Sequence, residues 1–155
     1  MRRNTSHKDA LDATFARASR IDPGEIELRA DFARHLCVLV SGFIDQAIKS
    51  YTVEYVRSRS SETVTNHVSR SIINLTNLKA EKLTSHLLSF DSSWKPTLDT
   101  LIADERKAAI DSVVALRHGI AHGKPGDITI ARMSSYYADI CRVMAGVRSL
   151  MQIDD

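Results

Sequence analysis

The sequence predicts an all-α protein, a helical bundle with two long antiparallel helices and shorter ones packed on them. Three observations lead there. Apolar residues recur at i, i+3 and i+4 along most of the chain, and strand-like alternation is scarce. Only 6 Gly and 3 Pro interrupt the pattern, and they cluster at a few points. Finally, 155 residues with 43% hydrophobic and 26% charged composition suit one ordinary domain with a real core.

The elements follow in order. Residues 1–22 read as a peripheral N-terminal segment, partly flexible, with a short amphipathic helix over 8–20. Asp22-Pro23-Gly24 is a break. From Glu25 to about Arg59 runs a long helix, with Leu28, Phe32, Leu36, Leu39/Val40, Phe43 and Ala47 on its repeat. Its LCVLVSGFI stretch is apolar nearly all round, which marks the central core helix and places His35 and Cys37 in the core. Ser61 restarts a helix to about Ile73, with Glu62 in its first turn. A turn at 74–77 leads to a helix over 79–90, and Asp91 caps a short segment at Trp94-Lys95-Pro96. Asp104 to about His122 is helical, and Gly123, Pro125 and Gly126 stop it. The last helix spans about 129–151, with Met133, Tyr136/Tyr137, Ile140, Val143/Met144, Val147 and Leu150/Met151 on one face. The expected organisation is a single domain over 1–155.

Composition narrows the function. A net charge of +2 argues against a purely electrostatic nucleic-acid binder but allows an enzyme with one basic cleft. Cys37 and Cys141 lie in apolar helical contexts and are expected as buried free thiols rather than a disulfide. No clustered Cys/His spacing suggests a metal site, and no cofactor is expected. The basic start MRRNTSHKDALDAT has no apolar core of a leader, and Leu36–Val40 is far too short to span a membrane. The expected location is the cytoplasm.

The chemistry concentrates in residues 113–126, VVALRHGIAHGKPG. On a helical wheel of about 100° per residue, Ala109, Ile110, Val113, Val114, Ile120 and Ala121 form one apolar face, with Arg117 near its middle. His118 and His122 lie on another flank, shared with Asp111. Structural roles account for each residue alone. Arg117 can snorkel or pair with Asp45 across the bundle. His122 can satisfy the last carbonyls of its helix. Two histidines at i,i+4 could ligate a metal, but no third ligand is spaced nearby. Taken together, Arg117 and His122 suggest a phosphate-holding cation beside a proton carrier, the equipment needed to cleave RNA by its own 2′-hydroxyl.

The hexapeptide Arg117-His118-Gly119-Ile120-Ala121-His122, followed by Gly123, resembles the R-x4–6-H signature of HEPN domains, and the IAHG ending looks most like the RiboL-PSP-HEPN subgroup. The likeness covers about residues 25–151 in helix order, including Asp45 in SGFIDQAI. It implies a metal-independent endoribonuclease, typically a toxin or anti-phage effector, that dimerises so that two motifs face each other in one composite cleft. Carried over, Arg117 stabilises the scissile phosphate, His122 is general acid/base, His118 supports, and Asp45 holds Arg117 or a histidine in place. RNA is the implied substrate and an antitoxin protein a possible partner. The family also holds non-catalytic members that bind nucleotide, RNA or a partner protein, and that alternative stays open. Lys124, Arg57, Arg59 and Arg70 are weaker candidates for contacts to the RNA, and Tyr136-Tyr137 for stacking on bases, against solvated-loop and core-packing roles.

Overall fold

A computed structural model describes residues 2–124 and 126–154 of the chain. Every element is helical: α1 (Arg2–Ala18), α2 (Ile26–Arg57), α3 (Glu62–Ser71), α4 (Ala80–Leu88), α5 (Lys95–Leu101), α6 (Asp104–Ala121) and α7 (Ile130–Leu150), with a 3₁₀ turn at Ser92–Trp94 before α5. Pro125, assigned a share in stopping the sixth helix, lies outside the described residues, as do Met1 and Asp155.

The helix starts follow local chemistry. The Ser61 hydroxyl accepts the Val64 N–H at 3.3 Å and opens α3. The Asp91 carboxylate accepts the Ser93 N–H at 2.9 Å. The Thr129 hydroxyl accepts the Arg132 N–H at 3.0 Å and opens α7. Helix α4 has no such residue of its own. Its first N–H, at Ala80, donates 2.8 Å to Asp111, which lies on α6.

The four long helices run up, down, up, down. His7 stacks with Phe43 and the short link 19–25 folds α1 back along α2. Phe43 meets Tyr137, and Arg59 reaches Gln152 at 3.4 Å, so α2 and α7 share a direction. The link 122–129 turns α7 back along α6, while Leu101, just before α6, abuts Gly146 near the other end of α7. The long antiparallel pairing therefore joins α6 to both α2 and α7.

The core is the strip of α2 from Ala33 to Tyr51, including Leu36, Ile44 and Ile48, closed by Ile110 and Val113 of α6 and by Met133, Ile140, Met144 and Val147 of α7. Each fully buried Leu or Ile contributes about 2 kcal/mol of transfer free energy. Leu11 and Ala18 of α1 join this core, so part of the segment expected to be peripheral is seated. Phe15 stacks on Tyr137, whose hydroxyl donates to Asp12 at 2.6 Å.

Two core expectations need correction. His35 is exposed and sits edge-on to Phe32, because it falls on the solvent side of the α2 repeat; Cys37 alone is buried, its thiol donating to the Val113 carbonyl at 3.5 Å. Ala121, placed on the apolar face of α6, is exposed and Ile120 half-buried, since the last turn of α6 projects beyond the packed part of the helix. Both cysteines are free thiols, but Cys141, expected to be buried, is only half-buried.

Candidate active site

The end of α6 is built by backbone bonds. The Gly123 N–H donates to the Ile120 carbonyl at 3.1 Å and the Lys124 N–H to the Gly119 carbonyl at 2.9 Å. This is the double closure of a Schellman motif, and it requires a left-handed residue at Gly123, whose φ is +72°. His122 is the capping residue just before it. Its position is thus set by the helix terminus rather than by side-chain packing.

Arg117 is half-buried and donates through Nη1 to the Asn77 side-chain oxygen at 3.3 Å. Asn77 takes φ +54°, a backbone shape that asparagine tolerates better than most residues. The next residue, Leu78, is fully buried, and its N–H favours the charged form of the Asp45 carboxylate on α2. One turn therefore serves both charges, with Asn77 bonded to Arg117 and the Leu78 N–H acting on Asp45. Burial pushes the Asp45 carboxyl above its ordinary value, opposed by Lys49, Arg117, Lys82 and the Leu78 N–H. Asp45 and Arg117 are coupled across this turn and through space, not by a direct salt bridge.

His118 and His122 are both exposed, and their rings lie 4.4 Å apart between centroids, tilted by 59°. Asp111, assigned the same flank, is the cap of α4. The wheel separates Arg117 from the histidines, and so does the folded chain: Arg117 turns toward Asn77 while the two rings face each other. The pieces nevertheless share the last two turns of one helix. Arginine there can hold an anion, and imidazoles there can give and take protons.

The weaker candidates lie elsewhere. Arg57 pairs with Glu54, and Arg59 stacks over Tyr55 at 4.0 Å. Arg57 ends α2, roughly 18 Å along the helix from Asp45 at 1.5 Å per residue, and Arg59 lies just beyond it. Arg70 is in the last turn of α3. Lys124 is exposed and lines a groove between α6 and α7 with Gly119, Arg132 and Tyr136. Tyr137 is buried, and Tyr136 half-buried under Arg132.

Three residues at the site were missed in the sequence. Asn77, Lys49 and Lys82 are brought in by the 72–79 segment, whose carbonyls accept Lys49 Nζ at Ile73 (2.9 Å) and Lys82 Nζ at Thr76 (2.7 Å). Asn77 in a polar turn was the single available signal.

Among the described residues no group of three or more His, Cys, Asp or Glu is placed to hold a metal ion, and no helix is long and apolar enough to cross a membrane. The RiboL-PSP-HEPN family model matches residues 3–151. No curated protein and no solved structure matches the chain.

Proposed function

The chain belongs to the RiboL-PSP-HEPN family, and from that premise we propose that it is a metal-independent endoribonuclease whose reacting groups are Arg117 and His122. The observation that carries the reading is the held arginine. Arg117 is half-buried, fixed by Asn77 and coupled to Asp45, yet sits within two helical turns of two exposed imidazoles. A guanidinium in that setting takes a phosphate by two parallel N–H donors and stabilises the charge that grows on it. His122 takes the 2′-hydroxyl proton or returns one to the departing 5′-oxygen, and His118 supports the ring against which it lies. The attacking 2′-oxygen displaces the 5′-oxygen and leaves a 2′,3′-cyclic phosphate.

Within one chain His122 faces His118 rather than Arg117. A two-fold dimer resolves this, because the arginine of one protomer and the histidine of its partner then address one phosphate from a shared cleft. A role as a toxin or anti-phage effector restrained by an antitoxin protein, working in the cytoplasm, accompanies this reading. The pairing of the two exposed rings with each other, away from Arg117, also favours a second reading, a non-catalytic module that binds nucleotide, RNA or a partner protein.

The test compares wild type, Arg117→Ala and His122→Ala on single-stranded RNA in EDTA. The expected result is cleavage by the wild type to cyclic-phosphate ends, lowered by about a hundredfold or more in each variant. Cleavage abolished by chelation overturns the metal-free mechanism. Undiminished variants overturn the site, and a monomer that still cleaves overturns the composite cleft. An inert wild type that binds RNA or nucleotide selects the second reading.

A further inference from the structure

Beside Arg117 lies a groove that the motif does not include. Asn77, Lys79, Lys82 and Ser85 line it, with Glu81 as its acidic member. It begins at the residue that holds Arg117, since Asn77 belongs to both. It then runs along the exposed face of α4, where Lys79, Lys82 and Ser85 all face solvent.

Two features distinguish this groove from a scattering of surface lysines. The Lys82 ammonium is fixed by the Thr76 carbonyl at 2.7 Å, and across the same segment Lys49 is fixed by the Ile73 carbonyl at 2.9 Å. Each ammonium keeps two further N–H donors for another acceptor. In addition, Lys49, Lys82 and Arg117 all lie within electrostatic reach of the single carboxylate of Asp45. Three cations against one anion leave local positive charge next to a groove lined by hydroxyl and amide groups.

We propose that this groove carries the sugar–phosphate backbone of single-stranded RNA on one side of the bond presented to Arg117, with Lys79 and Lys82 on successive phosphates and Ser85 and Asn77 as hydrogen-bonding partners. The inference rests on the reading of this family member as an RNA-acting protein and adds the track by which the strand is held. The one ring on its lining, His86, is half-buried, bonded to the Thr52 hydroxyl and packed edge-on to Phe90, so the contact is chiefly to the backbone and tolerant of sequence. Its Lys and Ser donors match phosphate oxygens, and Glu81 weakens the hold on any anionic occupant.

The experiment measures binding of a short labelled single-stranded RNA of mixed sequence to His122→Ala protein, so that cleavage does not interfere. Lys79→Ala combined with Lys82→Gln is expected to weaken binding by about tenfold and to flatten the slope of log K against log salt by about 0.7 per lysine removed. Glu81→Gln is expected to tighten binding about two- to threefold through the loss of a like charge. That gain does not arise from a damaged fold, so it keeps the test sharp if the Lys82 change loosens the 72–79 segment. Unchanged affinity and slope in the lysine variant, with no gain from Glu81→Gln, overturn the groove even where wild-type protein cleaves RNA. Equal binding of polyglutamate overturns RNA as its occupant. Lysine-dependent binding by a protein that never cleaves supports the groove and overturns only the nuclease.

Discussion

The backbone N–H of Lys124 donates to the carbonyl of Gly119 at 2.9 Å, and this bond fixes where α6 ends and where His122 stands. The residue proposed to transfer the proton is thereby positioned by main-chain geometry. Gly123 is the hinge of that arrangement, with φ +72° and open space where a Cβ would be.

Gly123→Ala meets no steric obstacle and pays only for the left-handed backbone. It should cost about 1 kcal/mol in urea unfolding. Cleavage should fall much further than stability, because relaxing the terminus moves His122. Gly123→Asn should retain most of both, since asparagine tolerates the left-handed region.

Asp45 predicts a pH dependence of known sign. Burial raises its carboxyl in the folded chain, so the folded state binds the proton more readily than the unfolded state. Its contribution to stability therefore falls as pH rises from the ordinary carboxylate range through the folded value. Asp45→Asn should raise the melting temperature at neutral pH, and the gain should vanish in acid, where both states hold the proton. The same variant should slow cleavage, since Arg117 loses its counter-charge.

Asp111 closes α4 from a different helix by accepting the Ala80 N–H at 2.8 Å. Asp111→Ala should cost about 1 kcal/mol in thermal or urea unfolding, the usual value of a lost cap. Asp111→Asn keeps an acceptor and should recover most of it. A flat result for the alanine variant would remove α6 from any part in placing the groove of α4.

Gly146 allows α5 to rest on α7. A Cβ there would stand 2.5 Å from Leu101 Cδ1. Gly146→Ala should destabilise the protein by about 1–3 kcal/mol through overpacking. Adding Leu101→Ala should return part of that loss, which a double-mutant cycle reads directly.

The helices and several of their caps were legible because they depend on neighbours in sequence. Ser61, Asp91, Thr129 and Gly123 each act within a few residues of themselves. The R-x4-H spacing was legible for the same reason. His35 was misread because the apolar run around it hides which side of α2 faces water. Asn77 with Arg117, Asp111 with Ala80, and Leu101 with Gly146 were not legible, because each pair joins segments 31 to 45 residues apart and nothing local marks either member. The Asp45–Arg117 pairing was foreseen in kind but not in form, since the turn between them comes from a third segment.

That turn has a consequence for how such a site changes over generations. Residues 72–79 give the site mostly main-chain atoms: the Ile73 and Thr76 carbonyls bonded to two lysines, and the Leu78 N–H acting on the charge of Asp45. Main-chain atoms are the same whatever side chains are attached. The segment can therefore drift in sequence at Ile73, Asn74 and Thr76 while the arginine stays aimed, provided a small polar residue able to turn left remains at 77 and an apolar anchor at 78. Two relatives could share this scaffold for their arginine with almost no identity across the stretch that builds it.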